Sequence, residues 1–560
     1  MGGRDLARAH EPDSVIRRFA VVPEGFPARL RADVSAGFTV SAMAVPEAFA
    51  CSAIAGVSAM SGLYALVPAL ILHAIAGGSR QLVVGPTPGT AALSAAVAAV
   101  AATEGHRVAA VALLCGLAGL GAGLARLGFV TAAISPVVRH GFGAGLAVLI
   151  GVGQIPTLLG LHDVSGRPWE RAWSTAARLD QLHWRTAVLG AGCLLLMMVL
   201  RRWCPLVPAA LVAAVVGIAA VRLMVWESKG VAVANDIEAG LPRIGAPAGI
   251  APGEYAVLAG PALAALAIGF AGGAAITGTL VAQGGDPVPA NRELVGLGLA
   301  NLGAALCSGM MVGPDAGHSR VLRDAGARGR LGGIVTAACA MLVLVGLIGM
   351  FEGLPTTVIA ATAIVLAVRV AEPAELRRLC RMWRERRGSL YEDAVRADLA
   401  AASATAAAVL AFGVLPGLLT GIGISSVLLL RRAIRPAVTT GKPGGDGRFA
   451  GPSAARRQLL VLRVESCLYF ANVDRWRQRV CRQCTAHTRV VVLDTEACPI
   501  IDTAAAQALG ELSTALAWRG IGVRLARPAL AIPDASRQAW SGGGPITVYP
   551  TVAAAVADVR

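Results

Sequence analysis

The chain has 560 residues, of which 55% are hydrophobic and 15% charged, with a formal net charge of +16 and a mean hydropathy of +0.64. Soluble domains carry about 25% charged residues, so a purely soluble enzyme is excluded. The apolar excess also turns the basic balance away from nucleic acid and towards arginine-rich loops on the cytoplasmic side of a membrane. The 11 cysteines are scattered and odd in number, many of them inside apolar stretches, which reads as small core residues and not as a disulfide framework.

Residues 1–32 are polar and basic, with Arg4, Arg8, Arg17, Arg18, Arg29 and Arg31. No apolar stretch precedes a cleavage site, so this segment is expected to be a cytoplasmic tail and not a signal peptide. From 33 to 435 apolar stretches dominate. Candidate spans cover 37–56, 62–76, 108–125, 138–159, 187–200 and 207–224. After a polar stretch at 227–253 they resume at 256–280, 294–311, 332–350, 358–371, 399–412 and 416–430. Two shorter, interrupted spans open near Pro88 and near Gly317. The total is about 14. Each half has its interrupted span third in order. Seven spans per half is an odd number, so the second half is expected to be inverted relative to the first.

Arginine sets the orientation. Arg377, Arg378, Arg381, Arg384, Arg386 and Arg387 crowd one loop, and Arg431, Arg432 and Arg435 follow the last span. Both belong on the cytoplasmic side with the N-terminal tail. Residues 436–455 are rich in Gly, Pro and Thr and read as a linker. Residues 456–560 carry an α/β pattern: buried strands at 459–464 and 490–493, a helix at 502–517 opening on Asp502-Thr503, and a strand at 520–526.

The strongest chemical signal is Val83-Val84-Gly85-Pro86-Thr87-Pro88-Gly89-Thr90-Ala91. Two prolines and two glycines break the helix, and the Ala-rich run after Pro88 restarts it in mid-membrane. The free N–H groups of that start, near Gly89–Ala91, point inward with the positive end of the helix dipole. Gly313-Pro314-Asp315-Ala316-Gly317-His318-Ser319-Arg320 repeats the device. Two opposed helix starts at the midplane would hold an anion. Arg320 adds a full charge, Thr90 and Ser319 add hydroxyl donors, and His318 adds an imidazole. Glu47, beside the kink-forming Pro46, is an intramembrane acid that reads either as a cation-responsive gate or as a hydrogen-bonded structural carboxyl. Cys481, Cys484 and His487 offer a weak metal pattern without a local fourth ligand, so no metal is expected; a helix covering a sheet is the simpler reading.

Several motifs in chain order resemble the sulfate permease (SulP) family of anion transporters. They are Asp33-Val-Ser-Ala-Gly-Phe-Thr-Val40, Pro46-Glu47, Gly62-Leu-Tyr-Ala65, and Ser79-Arg80-Gln81-Leu82 leading into Val84-Gly85-Pro86-Thr87. Asn291-Arg292-Glu293-Leu294, Gly298, Ala300-Asn301, Ser319-Arg320 and Gly333-Ile334-Val335 continue the likeness. The terminal domain is similar to the family's STAS domain (sulfate transporter and anti-sigma factor antagonist) through Leu468-Tyr-Phe470-Ala471-Asn472, Val491-Val492-Leu493-Asp494 and Ile501-Asp502-Thr503-Ala504.

The resemblance implies an all-α membrane domain of 7+7 inverted-repeat, uracil-permease-like architecture, with core and gate parts, followed by a small α/β STAS domain. It implies elevator-like transport and a homodimer. It carries over Glu47, Phe49, Cys51, Thr90, Ala91, Ser319 and Arg320 as substrate-binding positions, beside Gly89, Gly317 and His318 from the half-helix reading. Members often have Gln and Tyr where this chain has Glu47 and Cys51. Many coupled members carry an acid in the eighth span, where this chain has Gly272, so Glu47 becomes the coupling candidate for a co-transported proton or sodium ion. Asp315 is unusual and should repel a dianion unless paired or protonated. Anti-sigma-type STAS regulators are phosphorylated at a hydroxyl that falls near Thr503 here, and Ala504 stands at the expected second hydroxyl.

The expectation is therefore a multi-pass plasma (inner) membrane protein with cytoplasmic termini. It moves sulfate or a related oxyanion, and it is not an enzyme and has no cofactor or nucleic-acid partner. Bicarbonate or dicarboxylate transport, uncoupled exchange or channel activity, and a membrane-anchored STAS signalling scaffold are the alternatives.

Overall fold

A computed structural model describes residues 26–98, 104–129, 135–161, 164, 166–204, 207–234, 237, 240–282, 288–385, 392–434, 438–443, 449–452, 458–527 and 546–557. Most of the expected N-terminal tail lies outside these. The chain divides into two compact units, Met1–Ser425 and Ser426–Arg560.

The first unit is helical. Its first half runs α1 (Phe26–Ala55), α2 (Met60–Ala76), a short strand β1 (Val83–Gly85), α3 (Pro88–Ala98), α4 (Glu104–Leu124), α5 (Pro136–Leu159), α6 (Pro168–Ala177), α7 (Trp184–Trp203) and α8 (Ala209–Leu223). Proline sits where a first turn tolerates it, as at Pro88 and at Pro136 behind the Ser135 cap. The second half runs α9 (Pro252–Ala282), α10 (Ala290–Leu306), β2 (Gly313–Asp315), α11 (Ala316–Asp324), α12 (Leu331–Leu342), α13 (Thr356–Val370), α14 (Pro373–Glu385), α15 (Glu392–Phe412) and α16 (Val414–Ala433). Wider π and then 3-10 turns continue α12 to Phe351. Among the described residues nine helices of 18 or more residues are apolar enough to cross a bilayer, and α2 and α8 are shorter apolar helices. α6 and α14 are short and amphipathic, which suits a membrane surface.

Two bundles form. In one, α10 packs on α4 and α2, α12 on α1 and α2, and α9 on α4. In the other, α5 packs on α15 and α13, and α7 on α13 and α8. Lipid gives apolar helices no hydrophobic reason to associate, so close backbone contact through small residues holds them. Gly298 on α10 shows how close that contact is. A Cβ there would lie 2.5 Å from the Leu120 backbone nitrogen and 2.9 Å from the Gly116 carbonyl oxygen of α4. Backbone has no rotamer with which to yield, so Gly298→Leu should cost more than about 3 kcal/mol. The check is the monodisperse fraction after detergent extraction, which is expected to collapse; a wild-type profile would overturn this account of the α4–α10 contact.

The second unit holds β3 (Val438–Pro443), β4 (Phe449–Pro452), β5 (Leu459–Val464), α17 (Val473–Gln483), β6 (Val490–Asp494), α18 (Thr503–Ala517), β7 (Gly522–Ala526), β8 (Thr547–Tyr549) and α19 (Val552–Ala557). The sheet order is β4-β3-β5-β6-β7-β8, parallel from β5 to β8 and antiparallel at β3 and β4. Residues 436–455, expected to be a linker, therefore supply two strands. β-branched Val438, Thr439 and Thr440 favour pairing, and the glycine and prolines fall towards the sheet edge, where they are tolerated. Alternate residues of β5 face opposite ways. Leu460 and Leu462 pack with Trp476, Leu509 and Leu512 of α17 and α18, whereas Leu459 and Val461 pack with Val552 and Ala555 of α19. Trp476 is fully buried. Trp476→Ala should destabilise this domain by about 3–5 kcal/mol, read as earlier thermal unfolding and faster proteolysis of the C-terminal part; unchanged protection would remove Trp476 from the core.

Candidate functional site

The site begins with two three-residue strands. β1 and β2 pair antiparallel with Val83 opposite Asp315, Val84 opposite Pro314 and Gly85 opposite Gly313. Each strand feeds a helix, α3 or α11. Antiparallel pairing sends the two chains away in opposite directions, so the helix N-termini face one another with their positive dipole ends together. Short strands and prolines explain why neither segment continues as a through-going helix.

Each helix start is closed by its own side chains. On α3, Thr90 Oγ1 accepts from the Thr87 amide at 3.0 Å, and the Thr90 amide donates to Thr87 Oγ1 at 3.3 Å. On α11, Asp315 caps the helix by accepting from the His318 amide at 2.8 Å. Ser319 Oγ donates to the Asp315 carbonyl at 2.6 Å and accepts from the Val83 amide at 2.9 Å. That hydroxyl ties α11 back to β1. The Thr90 methyl lies beside Gly313, so the two starts touch.

At the start of α11 sits a charge cluster. Arg369, near the end of α13, donates from Nη1 to Glu47 Oε1 at 2.7 Å and from Nη2 to Asp315 Oδ1 at 3.3 Å. His318 is wedged between the same acids, with Nε2 3.1 Å from Glu47 Oε2 and Nδ1 3.5 Å from Asp315 Oδ2. Glu47, Asp315 and His318 are all buried. Gly317 makes room for the cation: a Cβ on it would overlap the Arg369 guanidinium. One arginine thus reaches from α13 of one bundle to α1 and α11 of the other.

The structure treats the sequence candidates differently. Glu47, Gly317 and His318 enter the cluster, and so does Asp315. Thr90 and Ser319 lie at the helix starts. Gly89 is partly buried, and a Cβ there would make ordinary contact with Thr87 Oγ1 and Leu146 Cδ2 at 3.9 and 4.0 Å. Ala91 and Cys51 are fully buried, and the Phe49 ring packs on Phe351 with centroids 5.2 Å apart. Arg320 is exposed, one residue past Ser319 on the outer side of α11. The expected positive charge therefore comes from Arg369 instead, because the rotation of α11 about its axis turns position 320 away from the cluster. Sequence reading placed Arg369 inside the 358–371 span and gave it no role; an arginine within an apolar run was the available signal. Ser94, one turn beyond Thr90 on α3, is fully buried, and its Oγ has no hydrogen-bond partner among the described residues.

Glu47, Asp315 and His318 each offer a ligand atom, and these lie within 4.8 Å of one another. A metal ion would compete there with a guanidinium bonded to both acids, so the residues present do not favour one. Gly272 on α9 has nothing within 4 Å of an added Cβ. In the second unit α17 ends at Gln483, so Cys481, Cys484 and His487 do not share a helix face; Cys484 Sγ instead points to the Val480 carbonyl at 3.4 Å. Asp502 caps α18, accepting from the Ala505 amide at 2.7 Å, while Thr503 is exposed.

Comparison with known proteins gives consistent likenesses. The sequence profile of the sulfate permease family matches residues 30–387, and that of the STAS domain matches residues 453–539. A probable sulfate transporter of Mycobacterium tuberculosis is 33% identical over 512 residues, covering 89% of this chain and 89% of its own. The structure of SLC26A9 superposes with a TM-score of 0.83 at 17% identity, covering 98% of this chain and 94% of that one. The transmembrane domain of the cyanobacterium bicarbonate transporter BicA gives 0.59 at 21% identity, covering 70% of this chain and 97% of that one. At such identities the two structures speak for the fold alone.

Proposed function

The chain belongs to the sulfate permease family, with a C-terminal STAS domain, and from that premise we propose that it is a secondary active transporter of sulfate or a related oxyanion. It is an anion-transporter relative and an integral multi-pass membrane protein, not an enzyme. In this reading α1–α5, α7 and α8 form one seven-element repeat. The inverted second repeat is α9–α13, α15 and α16. The antiparallel β1–β2 pairing supports the inversion.

The anion sits between the N-termini of α3 and α11. It sheds water and displaces the side-chain caps from backbone N–H groups near Gly89–Ala91 and Gly317–Ser319, with the Ser94 hydroxyl, which has no partner among the described residues, as a further donor. Arg369 supplies the full positive charge. The observation that carries the proposal is the pairing of Arg369, at the end of α13, with Glu47 of α1 and with Asp315, the cap of α11. The bundle of α1–α4 and α9–α12 is the moving core, and α5, α7, α8, α13, α15 and α16 form the gate. Because Arg369 belongs to the gate and Glu47 and Asp315 to the core, sliding of one bundle along the other breaks and remakes these contacts. Glu47 is the coupling group for a proton. The protein works as a homodimer in the plasma membrane, with both termini in the cytoplasm and the arginine-rich α14 on the cytoplasmic face.

The test is uptake of labelled sulfate, bicarbonate and fumarate into proteoliposomes, with and without an inward proton gradient. Gradient-stimulated sulfate uptake is expected. Flux of another anion alone discards sulfate and keeps the class; absence of any flux rejects transport. Gly272, at the position where many coupled members of the family carry an acid, favours uncoupled exchange as the second reading, which predicts sulfate flux indifferent to the gradient.

A further inference from the structure

We propose that Glu47 and Asp315 act as built-in substitutes for the transported anion, so that a dianion enters only together with two protons and transport is electroneutral. The proposal rests on the transport reading above and adds its stoichiometry and selectivity.

The argument is one of charge conservation in a buried space. At rest, one guanidinium faces two carboxylates. Arg369 spends Nη1 on Glu47 and Nη2 on Asp315, so its anion-binding edge is already filled. All three side chains are at most 19% exposed. A dianion arriving beside two ionised carboxylates would raise the negative charges in the cluster from two to four with no added positive charge. Uncompensated charge in such a place is strongly disfavoured, because the ion loses its water without gaining a partner. Protonating both carboxylates removes their claim on Arg369 and frees its two donors for an oxyanion, whose paired oxygens match the guanidinium fork. The cluster then carries the same net charge loaded as empty: two carboxylate charges are exchanged for the two of the dianion. Anything less leaves the loaded cluster more negative than the resting one.

The other charged or titratable groups around the cluster do not change this count. His318 lies between the acids, and the argument holds with its imidazole neutral or protonated, provided it keeps one state through the exchange. Arg201, at the end of α7, acts on both Arg369 and Glu47. As an arginine it stays charged in both states. Cys51, one turn from Glu47, is buried and thiol-bearing. Arg320 on α11 is exposed. α9, which packs on β2, meets Pro314 through the backbone of Gly269 and Gly273 and offers no acid or base there.

The experiment uses the full-length protein in proteoliposomes holding a pH-sensitive dye, with labelled sulfate and, in parallel, labelled fumarate outside. The membrane potential is set by potassium and valinomycin. Wild type is expected to bring in two protons per dianion, at a rate that an inside-negative potential leaves unchanged. Glu47→Gln is expected to lower the ratio to one and to make uptake severalfold slower at inside-negative potential, since one net negative charge then enters. Asp315→Asn should do the same, and Asn still caps α11, so the helix start survives. Sulfate or fumarate uptake with fewer than two protons in wild type, or a ratio of two retained in both variants, overturns the proposal while leaving the transport reading intact. Absence of uptake of either dianion by wild type rejects dianion transport itself, and the stoichiometry with it.

Discussion

Arg369→Ala is expected to lower anion uptake at least about 100-fold, roughly 3 kcal/mol in transition-state terms, whereas Arg320→Ala stays within about threefold of wild type. The difference follows from placement. Arg369 is bonded to Glu47 at 2.7 Å and to Asp315, the cap of α11, at 3.3 Å. Removing it leaves two acids facing any incoming anion, and breaking one side of a buried pair typically costs about 3–5 kcal/mol. Arg320 is exposed. The measurement is initial uptake rate against anion concentration, with folding checked by the monodisperse fraction in detergent. Arg369→Lys separates charge from geometry. A lysine keeps the charge but loses the two-pronged contact, so partial activity with weaker apparent affinity is expected. Loss in Arg320→Ala with retention in Arg369→Ala would mean that α11 and α13 are rotated the other way about their axes, and the site would have to be redrawn.

Gly317→Val is the second large effect. The guanidinium of Arg369 lies where a side chain on residue 317 would begin, so any Cβ forces it out. Valine adds two further methyl groups at the second position of α11, where its stiff χ1 leaves little choice of direction. The displaced arginine can no longer reach both acids, and uptake should fall at least about tenfold, with the loss in turnover or affinity and not in folding. Gly272→Ala is the control in the same membrane domain. Nothing lies within 4 Å of an added Cβ there, so its uptake should match wild type. A Gly317→Val protein with normal kinetics would show that Arg369 does not need its present seat.

The candidate site was partly legible because half of it is local. The breaks at Pro86-Thr87-Pro88-Gly89 and Gly313-Pro314-Asp315 are fixed by residues that either lack an N–H or favour a cap, whatever the rest of the chain does. α3 starts at Pro88 as the sequence suggests, and α11 starts at Ala316 with Asp315 as its cap. Glu47 was visible as an acid in an apolar run. Arg369 was not assigned, because near the end of a span an arginine ordinarily reaches for the cytoplasmic surface. The strands at 438–443 and 449–452 were read as linker because Gly and Pro dominate there, and their β-branched residues gain from pairing only once β5 lies alongside.

By itself, then, the sequence determined that this is a membrane protein of many apolar helices, interrupted twice in mid-span and followed by an α/β domain. Those properties depend on composition, period and proline, which act within a few residues of chain. Only the tertiary structure decided which cation and which acids meet at the start of α11. Residues 47, 315, 318 and 369 lie on three helices and a strand end far apart in sequence. Their meeting depends on how each helix is turned about its own axis when small residues pack, and one step along α11, from the buried Ser319 to the exposed Arg320, is enough to move a charge from the site to the surface.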